Sequence, residues 1–180
     1  MNTENIALTE KAQQKQPGVL KDLLMLLLKI VVIVAAFMLV FTFIFSITRC
    51  NDPYMTPAVK DGDLVISYRS TKNGYRPQDV IMLEYNGLKQ VRRVVATAGD
   101  VVDINNYGLV INGALQQETA IYRTTERYEE GVSFPLMVPE GHVFVLADYR
   151  TNATDSRIYG CVKIEDTLGK VMTVIRRQNF

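Results

Sequence analysis

The sequence predicts a mainly β protein, a barrel or paired-sheet domain set behind one N-terminal transmembrane helix. Three observations carry that reading. An apolar run fills residues 23–47. The chain after it is made of short β-rich runs separated by turn residues. No later segment keeps a 3.6-residue period long enough for an amphipathic helix. Composition excludes much else. The 180 residues carry a net charge of +1, which lacks the electrostatic footprint of a nucleic-acid binder. One histidine and two cysteines, Cys50 and Cys161, provide neither a zinc-type ligand cluster nor a disulfide framework. There is no Gly-rich phosphate loop.

The apolar run reads LLMLLLKIVVIVAAFMLVFTFIFSI, in which only Lys29, Thr42 and Ser46 are not apolar. As a helix it would be about 37 Å long, enough to cross a hydrocarbon core of about 30 Å with some tilt. Lys29 can snorkel to one interface. The run exceeds the apolar stretch of a cleavable signal peptide, and no small-x-small pattern precedes Thr48. Lys11, Lys15, Lys21 and Lys29 lie on its N-terminal side. The positive-inside rule then predicts a cytoplasmic tail over 1–22, an anchor over 23–47 in the plasma membrane, and an extracellular domain over 48–180.

Behind the anchor, strands are predicted at 63–68, 79–85, 91–98, 101–104, 109–112, 142–147 and 169–177. Residues 105–108 and Asn112-Gly113 read as hairpin turns. Gly62-Asp63, Gly99-Asp100, residues 139–141 and Leu168-Gly169 punctuate the rest. Residues 114–137 are polar and irregular, and a long hairpin or an insertion is expected there.

Three stretches in this order behind such an anchor resemble type I signal peptidases, the membrane serine proteases that remove signal peptides. YMTPAVKDGD (54–63) is similar to the family's S-M-x-P-T-L-x-x-G-D box, RRVVATAGD (92–100) to K-R-V-x-G-x-P-G-D, and ADYRTNATDSRIYG (147–160) to G-D-N-x-x-x-S-x-D-S-R-x-x-G. The resemblance implies a signal-peptidase-like β domain with no cofactor. In the family a serine hydroxyl attacks the scissile carbonyl, a lysine whose pKa is lowered by burial takes its proton, and hydroxyl and backbone groups stabilise the oxyanion.

Carried over residue by residue, every one of those chemical positions is changed. The nucleophile position is Tyr54, whose phenol is bulkier than a hydroxymethyl and a better leaving group than an alkoxide. The general-base position is Arg92. Arginine side chains stay protonated at neutral pH, and stripping one there costs at least about 7 kcal/mol. The oxyanion position is Asp52, where a carboxylate repels the developing charge. The base-orienting serine is Ala153, and the glycine at the head of the third box is Ala147. The acid–arginine pair of the family survives as Asp155 and Arg157, a scaffold salt bridge. The binding residues implied are Tyr54, Met55, Pro57, Arg92, Asp155 and Arg157, with Asp52 placed to pair with Arg92.

No other side chain reads as a substitute. Lys89 lies three residues before Arg92, so on an extended strand it points to the opposite face. Arg92 and Arg93 likewise alternate, and one of them should face solvent. Ser67 and Ser70 read as strand and loop serines, Cys50 as an inert cysteine near the anchor, and His142 as structural. The likeness extends to the signal-peptidase-like pilus assembly proteins of Gram-positive cocci, which implies pilin or preprotein substrates and a sortase as partners, at a membrane. Two further readings stay open: a working signal peptidase, and a module that holds signal peptides without cutting them. Only six residues separate Ile47 from Tyr54, about 20–25 Å if extended, so Tyr54 is expected near the bilayer.

Overall fold

A computed structural model describes residues 18–69, 74–118, 121 and 123–176. Residues 1–17 of the predicted tail, with Lys11 and Lys15, and also Ser70 lie outside the described residues. The chain divides into two compact units, one ending at Thr42 and one starting at Phe43.

The first unit holds nearly all of helix α1 (Val19–Ile44), which has no buried residue. It begins where Gly18 O accepts from Lys21 N at 2.6 Å and from Asp22 N at 3.2 Å. At 26 residues it is long and apolar enough to cross a membrane. Thr42 donates its hydroxyl to Met38 O at 2.7 Å, which satisfies a polar group without water. The helix ends three residues before the apolar run does. Phe45, Ser46 and Ile47 instead open strand β1 (Phe45–Arg49). They pair with β2 (Leu64–Tyr68), from Phe45 opposite Tyr68 to Arg49 opposite Leu64. Aromatic and β-branched residues that find a strand partner favour the sheet over a continued helix.

The second unit continues with a 3₁₀ turn (Pro53–Met55), β2, β3 (Val80–Tyr85), β4 (Leu88–Thr97), β5 (Val101–Asn105), β6 (Gly108–Ile111), β7 (Ala114–Leu115), β8 (Leu136–Met137), β9 (His142–Leu146), helix α2 (Ser156–Tyr159), β10 (Val162–Lys163), a second 3₁₀ turn (Ile164–Asp166) and β11 (Thr167–Ile175). One sheet runs β1-β2-β11-β3-β4-β9-β10 and the other β7-β6-β5-β8. Every pairing is antiparallel. The architecture is therefore two open sheets rather than a closed barrel. Of the two expectations for residues 114–137, the long hairpin is not found: β7 pairs with β6 while β8 pairs with β5.

β4 positions the site. Asn86 (φ 50°) and Gly87 (φ 75°) make the two-residue turn into it from β3, the positive-φ pair that matches strand twist. That turn fixes Leu83 opposite Gln90 and Ile81 opposite Arg92. Along its length β4 serves three apolar clusters. Val91 packs with Cys50, Met55 and Val65. Val94 packs with Ile81, Leu83 and Val143. Val95 and Ala96 pack with Ile104 and Phe144. The change of face between 94 and 96 follows a register shift against β9, as a bulge produces. In β11, Gly169 has φ 127°, and a Cβ there would collide with the Tyr68 carbonyl, so the position requires glycine.

Candidate functional site

The site starts from the short turn after β1. Asp52, in extended conformation, caps the Pro53–Met55 turn by accepting from Tyr54 N at 3.0 Å. Proline at the first position of the turn is preorganised for it and has no N–H to leave unpaired. Met55 anchors the turn by complete burial beside Cys50 and Val59. The Cys50 thiol donates to Asp52 O at 3.4 Å. These contacts leave the second carboxylate oxygen of Asp52 facing β4.

Arg92 meets it there. The guanidinium is 1% exposed, and its Nη1 donates to Asp52 Oδ2 and to Val91 O at 2.5 Å. Nε and Nη2 donate to Thr154 O at 3.0 and 2.8 Å. A buried guanidinium is tolerated only with such pairing. The Tyr54 ring is half-buried, with its centroid 6.0 Å from Arg92 Cζ. Its backbone carbonyl accepts from Tyr149 N at 2.8 Å. Pro57 lies exposed two residues beyond the turn, its carbonyl accepting from Arg176 Nη2 at 2.8 Å.

The third stretch closes the site from the other side. Ala153 is fully buried and precedes Thr154, the carbonyl partner of Arg92. Its own carbonyl accepts from the Tyr128 hydroxyl at 3.1 Å, and its methyl side chain brings no hydroxyl to the site. Asp155 and Arg157 are both buried and joined by two side-chain bonds of 2.9 and 2.8 Å. Asp155 also accepts from Arg157 N and Ala147 N, both at 3.1 Å. Arg157 Nη2 donates to Arg150 O at 2.7 Å, and the Tyr128 ring covers its Cζ at 4.5 Å. Ser156 Oγ accepts from Val145 N at 3.0 Å. This network fastens β9 to α2 and is structural in its connections.

Other candidates stand outside the Asp52–Arg92–Tyr54 group. Lys89 is exposed and sits opposite Glu84 in the ladder. The Cys50 thiol is pushed up by burial, and burial pushes Cys161 up to about 11, which removes both as thiolate nucleophiles near neutral pH. Ser67 is fully buried on β2 and its Oγ has no partner. His142 Nδ1 lies 2.8 Å from Glu140 O. Alternation predicts that one of Arg92 and Arg93 faces solvent, and neither does so freely: Arg92 is buried and Arg93 half-buried. Arg93 pairs with Asp148 through bonds of 2.7 and 2.6 Å, a contact that raises its pKa. Among the described residues, no group of three or more His, Cys, Asp or Glu side chains is arranged to hold a metal.

Sequence reasoning missed three participants. Thr154 contributes a main-chain carbonyl, which has no residue-type signal. Gln90, two residues before Arg92 on the same face of β4, is buried with Oε1 lacking any donor. Arg150, also buried, is held by Glu118 through bonds of 2.9 and 2.5 Å. Beside Tyr54 lies a cleft of about 410 Å³ whose walls include Arg49, Pro53, Leu88, Lys89, Gln90 and Thr154. A larger cavity of about 680 Å³ lies by residues 104–107 and Arg127, away from this convergence. The Asp52–Arg92–Tyr54 group can hold a shape and a charge balance. A guanidinium, which only donates, has no lone pair with which to take a proton.

The family model described as signal peptidase, peptidase S26, matches residues 23–175. Signal peptidase I of Bacillus caldolyticus is 30% identical over 142 residues, covering 72% of this chain and 78% of that protein. Thylakoidal processing peptidase 1 of Arabidopsis thaliana is 32% identical over 97 residues, 54% of this chain. The match takes in 25% of that relative, so the chain spans about a quarter of its length. Among solved structures, the crystal structure of a signal peptidase I from Enterococcus faecalis V583 matches at 28% identity and a TM-score of 0.44, covering 55% of this chain and 97% of that one.

Proposed function

The chain belongs to the signal peptidase family, peptidase S26, and from that membership we propose a membrane-anchored homologue that binds protein segments at the old catalytic cleft without cutting them. The observation that carries the reading is the buried Asp52–Arg92 pair, side chains 7% and 1% exposed, at the positions where the family pattern puts a hydroxyl and a lysine. Acyl transfer needs a nucleophile with a base beside it. Here the base position holds a cation locked by a carboxylate. The phenol of Tyr54 stands at the nucleophile position, and the Asp52 carboxylate opposes an oxyanion.

In this reading residues 1–22 lie in the cytoplasm, the apolar segment spans the plasma membrane, and the β domain faces outward. A retained scaffold without its chemistry acts through binding. Pilin precursors and a sortase are the partners the reading assigns, with the protein assisting pilus polymerisation in a Gram-positive cell. The test is deletion of the gene followed by separate assays of pilin polymers and of general preprotein processing. The reading expects polymers to fail while processing stays normal. Accumulation of uncleaved preproteins with normal pili would overturn it in favour of an active peptidase.

A further inference from the structure

We propose that the cleft beside Tyr54 receives an acidic peptide segment, with a main-chain N–H meeting Gln90 and a carboxylate held between Arg49 and Lys89. The inference rests on the binding reading above and gives it a ligand class.

Gln90 supplies the first argument. It is 7% exposed, it lines the cleft, and its Oε1 has no donor. An occluded carbonyl without a donor is unfavourable and is rare in folded proteins. The terminal amide torsion is soft, so a small rotation presents this oxygen to an incoming N–H. Arg92, on the same face, has four of its five N–H donors engaged by Asp52, Val91 and Thr154 and its charge already paired with Asp52.

Charge supplies the second. Arg49 and Lys89 are both exposed at the walls of the cleft. Among the described residues neither has a carboxylate within ion-pair distance; Arg49 donates only to Gly62 O, at 3.4 Å. Glu84 stands across from Lys89 in the ladder without closing a pair. The one carboxylate lining the cleft, Asp52, is spent on Arg92 and Tyr54 N. Two unpaired cations around a concave surface attract and orient an anion. A free phosphate answers the cations and can offer Gln90 an O–H but has no carbon surface for the apolar wall, whereas a peptide brings a carboxylate, an N–H and aliphatic carbon. Leu88, 68% exposed, and Pro53 provide apolar wall for the aliphatic part of the segment.

The test titrates the full chain in detergent with three dansyl-labelled, end-blocked pentapeptides, Ala-Glu-Ala-Glu-Ala and its Gln and Lys counterparts. The Glu peptide is expected to bind about tenfold tighter than the Gln peptide at low salt, with the gap shrinking as salt is added. Arg49→Glu with Lys89→Glu, both exposed, should shift the preference to the Lys peptide. Gln90→Leu should weaken the Glu and Gln peptides alike by about tenfold, leaving their ratio unchanged. Equal binding of all three peptides, no binding of any, or a preference unmoved by the double charge reversal would overturn the inference. Chromatography of the same samples separates the two readings. Cut peptide removes the non-cutting reading while the charge preference stands or falls on the titration, and intact peptide bound without charge preference removes this inference alone.

Discussion

Arg92 donates to Asp52 across the space between β4 and the turn after β1, and the same carboxylate caps that turn through Tyr54 N at 3.0 Å. One acidic side chain thus orders the turn and neutralises a buried guanidinium, so neither residue can be replaced alone without consequence for the other.

Removing one member of this pair leaves a buried uncompensated charge. Asp52→Ala is expected to destabilise the β domain by about 3–5 kcal/mol, read as lower denaturant and thermal midpoints for the full chain in detergent. Asp52→Ala combined with Arg92→Leu should cost less than the sum of the two single changes. Additive losses would mean that the pair contributes no coupling.

On the proposed reading, restoring the family's residues at positions 52, 54, 92 and 153 should be grossly non-additive, because nucleophile, base and oxyanion donor act as a unit. Tyr54→Ser alone is expected to give no cleavage of a preprotein, since Arg92 still cannot accept a proton. Adding Arg92→Lys supplies a base, but Asp52 beside it favours the charged ammonium. Activity should require Asp52→Ser, Tyr54→Ser, Arg92→Lys and Ala153→Ser together, measured by mass spectrometry of the products. Recovery by Tyr54→Ser alone would be inconsistent with this assignment.

The Asp155–Arg157 network is expected to act on stability. Asp155→Ala strands Arg157 and leaves Ala147 N without its acceptor. The cost should be about 3–5 kcal/mol. Amide exchange should accelerate first in β9 and α2, the elements this carboxylate joins, and uniform acceleration would argue against that local role.

Cysteine chemistry provides a check on the thiol alternative. Burial pushes the Cys161 thiol up to about 11, so its alkylation rate should keep rising with pH through that value rather than level off near ~8.5, the usual thiol range. Its folded pKa lies above the unfolded one. Its contribution to stability is therefore present below about pH 8.5 and lost as pH rises through the folded value. Peptide mapping after iodoacetamide treatment at a series of pH values reads both cysteines. A fast-reacting Cys50 at pH 7 would reopen it as a nucleophile.

Much of the fold was legible because its signals are local. The apolar run announces a helix by length alone, and paired turn residues bracket the longer strands. β1 was not legible, because Phe45–Arg49 is a strand only through pairing with β2, and nothing within the run distinguishes it from more helix. The pairing of Asp52 with Arg92 was legible through the family resemblance, which sets both positions at one site. The rest of the environment of Arg92 was hidden, since Thr154 acts through its backbone from 62 residues away. Alternation put one of Arg92 and Arg93 toward solvent, and the pairing that holds Arg93 in was hidden because its partner Asp148 lies 55 residues away. The unpaired Oε1 of Gln90 is a property of packing that no residue pattern encodes.

The most direct test of the central claim incubates the unmodified full-length protein, in lipid and in molar excess over a preprotein, and follows cleavage for hours. The account predicts that the preprotein stays intact at the background rate while remaining bound. Cleavage above background, abolished by substituting Lys89 or Cys50, would contradict it.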